Sequence, residues 1–220
     1  ITTDENGFAS TSDDALPYGD YIIRETATND TYLNTADDMH ATISEDGKIY
    51  SFTAEDDVVR GGVKVSKRDI ESLLNTALGS ASIDGTQFQL KFQGENPIVV
   101  DGITFTKGQV IETLVIKGGE ASTPADYLPV GDYSLQEVVA GDGYLLTDGS
   151  VYEFTITDQG QIVDAVGTPV LNQVKRGDIE FVKVREDNMA RLAGVPFRIT
   201  SETTGESHII VTDENGYAST

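Results

Sequence analysis

The chain has 220 residues and a formal net charge of −22, from 37 acidic and 15 basic side chains. This charge repels phosphate backbones, so the composition argues against nucleic acid as a partner. The lack of cysteine excludes disulfides, thiolate metal sites and cysteine nucleophiles. No motif for secretion, membrane insertion or lipid attachment is found in these residues.

Internal repeats organise the chain into domain-sized parts. Three short motifs each occur twice, and the pairs are TDENGFAST (3–11) with TDENGYAST (212–220), LPYGDYIIRE (16–25) with LPVGDYSLQE (128–137), and RGG (60–62) with RGD (176–178). Their register predicts the C-terminal half of one domain at 1–59, a complete domain at 60–175 and the N-terminal half of another at 176–220. We expect the two halves to be completed by a longer tandem array or by a neighbouring molecule.

Alternating apolar and polar residues predict an all-β fold. The alternating runs are Tyr21 to Glu25, Ile49 to Phe52, Gln87 to Phe92, Val110 to Ile116, Tyr133 to Val138, Tyr152 to Ile156 and Phe197 to Thr200. Asn-Gly or Asp-Gly pairs at 6–7, 46–47, 101–102 and 215–216 predict hairpin turns. Apolar residues at helical spacing predict one short helix at 69–78, ended by Gly79. Residues 93–125 are expected to form an insertion with an extra hairpin.

Three polar residues of the middle domain share strand faces with apolar neighbours. Side chains two positions apart lie on the same face of a strand. This alternation directs inward Lys67 (beside Val63 and Val65), Glu137 (beside Tyr133 and Leu135) and Asn172 (beside Val170 and Val174). The same pattern directs inward Glu25 and Asp56 in the first part, and Lys183 in the last part.

A buried unpaired charge is very costly, so Lys67, Glu137 and Asn172 are expected to meet. One interpretation is a buried ion pair of Lys67 and Glu137, hydrogen-bonded by the amide. The other is covalent: desolvation lowers a lysine's pKa and raises a glutamate's, which favours a neutral amine nucleophile and a proton-carrying carboxyl. The product is a Lys–Asn amide with loss of ammonia, or a Lys–Asp amide with loss of water. A dry core supplies the effective concentration for either reaction.

The motifs around these residues resemble those of Cna B-type (SpaA-like, prealbumin-like) domains of Gram-positive surface adhesins and pilins. The resemblance is carried by Val63 to Lys67, YSLQEVVAGDGY at 133–144, Leu171-Asn172 and the joint at 174–178. It implies tandem Greek-key β-sandwiches in which Lys67 is the amine, Asn172 the acceptor and Glu137 the catalyst.

The resemblance also assigns residues in the flanking parts. It implies that Glu25 is a catalyst, Asp56 an acceptor and Lys183 the amine of the following domain. Two positions depart from the usual pattern, Val138 where Thr is usual and Gly141 where Pro is usual. Both lie outside the reacting residues.

These features predict a structural stalk region of a cell-wall-attached, extracellular adhesin, crosslinked autocatalytically and partnered by adjacent domains. Each domain reacts once, so the protein is not expected to be an enzyme, and no cofactor, metal or membrane insertion is expected. One alternative is a module that binds a host protein or glycan through residues 93–125. Another is the shaft subunit of a pilus, although the linking lysine motif and sorting signal of such a subunit are not found in these residues.

Overall fold

The structure is a computed structural model that describes residues 1–146 and 149–220. It divides into two units, Ile1–Val59 and Arg60–Thr220. The described residues form strands and turns and contain no helix, so none that could span a membrane. The all-β prediction is therefore confirmed, whereas the division of the second unit at residue 175 stays a prediction.

The unit Ile1–Val59 has little regular structure. Its strands are β1 (Gly19–Ile23), β2 (Tyr32–Leu33), β3 (Met39–Ile43) and β4 (Asp57–Val58), of which β1 pairs with β3 and β2 with β4, both antiparallel. The predicted strand at 49–52 is wrong, since these residues lie outside any strand and Ile49 is 87% exposed. Alternation gives a strand only where a partner edge is available, and among the described residues β1 and β3 pair only with each other.

The unit Arg60–Thr220 contains two larger sheets, a hairpin and two smaller ladders. Its strands are β5 (Arg60–Asp69), β6 (Gln87–Phe92), β7 (Ile98–Val100), β8 (Ile103–Phe105), β9 (Val110–Val115), β10 (Glu120–Ser122), β11 (Leu128–Pro129), β12 (Gly131–Val139), β13 (Val151–Ile156), β14 (Ile162–Asp164), β15 (Val170–Asn172), β16 (Glu180–Val182), β17 (Pro196–Thr200), β18 (Ser207–Val211) and β19 (Tyr217–Ser219).

Strand β5 organises the first sheet. It pairs antiparallel with β10 and β11, and parallel with β14 and β15. The second sheet is antiparallel, in the order β13-β12-β6-β9. Strands β7 and β8 form a hairpin, β16 pairs with β19, and β17 pairs with β18. The strand that opens residues 60–175 thus lies parallel to the strand that closes them.

The hydrophobic core lies between these two sheets. Its buried side chains alternate along β5, β6 and β12 and include Val63, Val65, Phe88, Leu90, Phe92, Tyr133 and Leu135. The Tyr133 ring centroid lies 5.6 Å from those of Phe92 and Phe154, and its hydroxyl donates to the Pro129 carbonyl at 2.6 Å. Apolar burial of this kind, with each polar tip paired, is the main source of stability in a small sandwich.

The glycines that open β5 allow another segment to pack closely on the strand. A β-carbon at Gly62 would lie 2.3 Å from the Pro124 carbonyl oxygen, and one at Gly61 would lie 2.8 Å from that of Gln161. Both distances are shorter than van der Waals contact. The two glycines of the Arg-Gly-Gly motif are therefore required by packing at this position.

The predicted helix at 69–78 is wrong. The Asp69 carboxylate accepts the backbone N–H groups of Glu71 and Ser72, each at 2.8 Å, and Leu73 adopts a left-handed φ of 59°. This side-chain turn competes with helical hydrogen bonding. The apolar residues that suggested a helical face are also not buried, since Leu73 is 63% and Leu74 is 56% exposed.

Candidate crosslinking site

The structure brings Lys67, Glu137 and Asn172 together inside the sandwich. In the parallel register of β5 and β15, Lys67 faces Val170 and Asp69 faces Asn172. Lys67 and Asn172 therefore lie on the same face of neighbouring strands, while Glu137 approaches from β12 in the other sheet. Their exposed fractions are 1%, 2% and 5% for Lys67, Asn172 and Glu137.

The Glu137 carboxyl group lies between the other two side chains. Its Oε1 accepts a hydrogen bond from Asn172 Nδ2 at 2.5 Å, and its Oε2 lies 3.8 Å from Lys67 Nζ. Lys67 Nζ also donates to the Val170 carbonyl at 3.0 Å. Among the described residues, every buried side-chain nitrogen and oxygen has a hydrogen-bond partner. The high cost of burying these polar groups is thus offset by mutual contacts.

The local structure of β12 places Glu137. Tyr133, Leu135 and Glu137 alternate inward along the strand, and a register shift between Glu137 and Val139 follows directly in its pairing with β6. Bulges of this kind bend a strand and redirect side chains. Glu137 is therefore the last inward side chain before the strand becomes irregular, at the end of the core where β5 and β15 meet.

This arrangement has the elements of an acyl transfer. It contains an amine, a carboxamide, and a carboxyl group in contact with both nitrogen atoms. A carboxyl in that position can take a proton from one nitrogen and give it to the other. The water-poor surroundings hold the groups in place without competing hydrolysis.

Sequence reasoning missed two polar residues next to this site. Asp69 is fully buried, and its Oδ2 accepts a hydrogen bond from the Tyr144 hydroxyl at 2.9 Å. The alternation that directs Lys67 inward extends by two residues to Asp69, so the sequence contained a signal for it. Tyr144 follows β12 in a segment without regular alternation, and its contact with Asp69 depends on tertiary structure.

The ionisation of this pair follows from its surroundings. Burial acts to raise the pKa of the Asp69 carboxyl, but hydrogen bonds from Ser72, Tyr144 and Glu71 outweigh it and hold that pKa below its usual value. Burial, together with the hydrogen bond to Asp69, raises the pKa of Tyr144 to about 12. At neutral pH the pair is therefore a carboxylate accepting from a neutral phenol.

In the unit Ile1–Val59 the structure also brings Glu25 and Asp56 together. Both are half-buried and share a side-chain hydrogen bond. Burial, with the Asp56 charge, raises the pKa of Glu25, while hydrogen bonds from Thr28 and from the Thr35 backbone hold that of Asp56 below its usual value. The only lysine in these 59 residues is Lys48, which pairs with Glu45 instead.

Lys183 has no acidic partner within residues 1–146 and 149–220. It is half-buried and lies just after β16. Its backbone N–H donates to the Gly216 carbonyl at 2.8 Å, and its carbonyl accepts from Leu192 N–H at 3.0 Å. The backbone of this strand is therefore ordered by its neighbours, without an ion pair at the amine.

The insertion at 93–125 contains the expected extra hairpin, formed by β7 and β8. Asp101 and Gly102 connect them with φ angles of 48° and 77°, as a type I′ turn requires. The single aromatic residue of the insertion, Phe105, is half-buried. The exposed aromatic cluster that would favour ligand binding is thus not found in this insertion.

Close packing around Gly141 and the arrangement of potential metal ligands also characterise the site region. A β-carbon at Gly141 would lie 2.1 Å from the Ser82 carbonyl oxygen, which explains why a larger residue does not fit there. In the described parts of the chain, no group of three or more His, Cys, Asp or Glu side chains is arranged to hold a metal ion.

The fold and the buried residues define a prealbumin-like β-sandwich. The SpaA family of prealbumin-like fold domains matches residues 1–58 and 63–169. The chain belongs to this family, which confirms the resemblance found in the sequence. A search of curated proteins found no match.

Three solved structures that align with this chain come from Bacillus and Streptococcus. The Bacillus anthracis TIE protein aligns at a TM-score of 0.73 and 21% identity, over 99% of this chain and 36% of its own. A streptococcal ancillary pilin aligns at a TM-score of 0.39 and 22% identity, over 93% of this chain and 63% of its own. The D312A form of the Bacillus cereus major pilin subunit aligns at a TM-score of 0.36 and 19% identity, over 63% of this chain and 35% of its own. This chain spans less than two thirds of each of them.

Proposed function

We propose that the chain is a stalk region of an extracellular, cell-wall-attached surface adhesin, whose domains stabilise themselves with internal isopeptide bonds. The observation that carries the proposal is the meeting of Lys67, Glu137 and Asn172 in the buried interior. Membership of the SpaA prealbumin-like family supports the surface location. The internal repeats support a tandem arrangement with adjacent domains as partners.

The proposed reaction joins Lys67 to Asn172. The neutral Lys67 amine attacks Cγ of Asn172, Glu137 transfers a proton from the attacking nitrogen to the leaving nitrogen, and ammonia departs. One N–C bond forms and one breaks, so no oxidant or external reagent is needed. The bond forms once per domain, and the protein is not an enzyme in the usual sense.

A buried ion pair is the competing interpretation of the same contacts. Desolvation of two charges can exceed their attraction, and replacement by apolar residues is often neutral or stabilising. An ion pair alone would therefore contribute little net stability in return for burying Lys67. An amide has no charge, so forming it permanently removes the desolvation cost of the buried Lys67 ammonium.

The strand arrangement gives the bond a mechanical role. Lys67 lies on the first strand of residues 60–175 and Asn172 on the last, and these strands are parallel neighbours. Force applied along the chain enters through one strand and leaves through the other. A covalent bond between them transmits this force directly and protects the segment between residues 67 and 172, which are 105 positions apart.

The same chemistry extends to the flanking segments. The carboxyl pair of Glu25 and Asp56 can accept a lysine from a preceding strand, with water as the leaving group. Lys183 can supply the amine to a carboxyl or amide that follows in its own domain. Each would tie the first and last strands of a neighbouring domain in the array.

The proposal is tested by mapping the crosslink in the purified full chain. After proteolysis, tandem mass spectrometry should find a branched peptide that joins Lys67 to Asn172. Glu137→Ala should remove the branched peptide because the proton transfer is lost. Glu112→Ala is the matched control, since Glu112 is an exposed glutamate on β9 in the same sheet. Linear peptides for both residues in the unmutated chain would leave only the ion pair.

A further inference from the structure

The Asn172 segment is held from both sides. Strand β15 pairs with β5 on one side, and Ile70 N–H donates to the Asn172 carbonyl at 3.0 Å. On the other side, Leu145 N–H donates to the Gln173 carbonyl and Lys175 N–H to the Gly143 carbonyl, each at 2.8 Å. The segment 143–145 therefore flanks the strand immediately after Asn172.

The hydrogen bond between Tyr144 and Asp69 connects these two flanking segments. Asp69 is the last residue of β5, and Tyr144 forms a bridge with Val174. The 2.9 Å contact between the Tyr144 hydroxyl and Asp69 Oδ2 thus joins one neighbour of the Asn172 segment to the other. Both side chains are buried, at 3% exposure for Tyr144 and 0% for Asp69.

We propose that Asp69 and Tyr144 are positioning residues for the crosslinking reaction, which hold the Asn172 strand in place and control the charge beside Lys67. The inference rests on the proposed function. Neither residue exchanges atoms with the reacting groups. Asp69 acts through the backbone at Asn172 and through its charge, and Tyr144 acts through Asp69.

The charge argument follows from the spacing on β5. Asp69 is two positions from Lys67 on the same inward face, which places their Cα atoms about 6.4–6.8 Å apart along the strand. A carboxylate at that distance favours the protonated amine, which is not nucleophilic. The Tyr144 hydroxyl and the two backbone donors stabilise this carboxylate and weaken its field at Lys67.

Other ionisable groups also act on this region. Glu137 faces Lys67 from β12, and the Arg68 guanidinium donates to the Lys67 carbonyl at 3.1 Å. Glu71 and Arg176, which form an ion pair with each other, both interact electrostatically with Asp69. The variants below leave all four groups unchanged, so differences between them report on Asp69 and Tyr144.

The test measures the rate of crosslinking at several pH values. Full chain recovered unfolded from inclusion bodies is diluted into refolding buffer, and samples are quenched in acidic denaturant. Loss of ammonia is followed by intact mass, and folding is followed in parallel by circular dichroism. Tyr144→Phe should slow crosslinking after folding about tenfold, equivalent to about 1.4 kcal/mol of activation free energy. Its pH–rate profile should move to higher pH.

The variant Asp69→Asn separates charge from structure. It keeps an oxygen acceptor for the backbone of the turn but removes the negative charge, so its pH–rate profile should move to lower pH, opposite to Tyr144→Phe. Tyr133→Phe is the matched control, because it removes a buried tyrosine hydroxyl bonded to the Pro129 carbonyl. It should leave the profile unchanged.

The possible outcomes distinguish this inference from the proposed function. If the unmutated chain loses ammonia but Tyr144→Phe and Asp69→Asn match its rate and pH profile, the positioning role is refuted and the crosslink stands. Shifts of both variants in the same direction would refute the charge argument. If the unmutated chain never loses ammonia, the proposed function fails, and the positioning role fails with it.

Discussion

The length of chain released under force distinguishes the amide from an ion pair. If Lys67 and Asn172 are bonded, the segment between them cannot extend when the termini are pulled apart. The two residues are 105 positions apart, which corresponds to about 350–380 Å of extended chain at 3.3–3.6 Å per residue. Lys67→Met removes the amine while keeping an apolar side chain of similar length. This variant should extend about 350–380 Å further than the unmutated chain before the polypeptide is fully stretched.

Force spectroscopy can measure this difference directly. Since the chain has no cysteine, one cysteine added at each terminus defines the attachment points. The flanking segments contribute equally in both proteins and cancel. Lys64→Met is the control, because Lys64 lies on the same strand but is half exposed, 3.6 Å from Asp164, and it should extend like the unmutated chain. Equal total lengths for the unmutated chain and Lys67→Met would refute a covalent bond, whatever their unfolding forces.

Three further predictions concern stability and the leaving group. Lys67→Met should lower the thermal midpoint measured by calorimetry by about 15–20 °C, because closing a loop of about 100 residues contributes about 4–5 kcal/mol and 1 kcal/mol shifts a domain of this size by about 4 °C. Lys64→Met should shift it by less than about 4 °C, as its ion pair is exposed; equal shifts would contradict the bond. Asn172→Asp should still crosslink, with loss of water in place of ammonia. An uncrosslinked product would contradict the claim that a carboxyl can replace the carboxamide as acceptor. The lowered pKa of Asp69 stabilises the folded state above the usual carboxyl pKa, and this stability is lost as the pH falls through the folded value. In denaturant titrations below about pH 4, the free energy of unfolding should therefore fall less steeply with pH in Asp69→Asn than in the unmutated chain. Equal slopes for the two proteins would contradict the lowered pKa of Asp69.

The sequence predicted the position of the buried polar residues because strand alternation is a local property. Val63 and Val65 share a face with Lys67 whatever the rest of the chain does, and the same holds for Tyr133, Leu135 and Glu137. Once the apolar faces form a core, the polar residues on them must be buried. The contacts among Lys67, Glu137 and Asn172 follow from this requirement.

Features that depend on a tertiary partner could not be predicted in the same way. Residues 49–52 alternate between apolar and polar side chains, but they pair with no strand in the part of the chain that the structure describes. The apolar spacing at 69–78 is helical, yet the Asp69 carboxylate captures the backbone donors that would begin a helix. The contact of Tyr144 with Asp69 joins residues 75 positions apart, and nothing in the local pattern of either residue indicates it.

The mechanical role proposed for this domain requires an amide between Lys67 and Asn172. Intact mass of the unmutated chain under denaturing conditions tests this most directly, because denaturation separates an ion pair but leaves an amide in place. We expect a mass lower by one ammonia than that calculated from the sequence, whereas Lys67→Met should have the full mass calculated for that variant. The full calculated mass for the unmutated chain would contradict it.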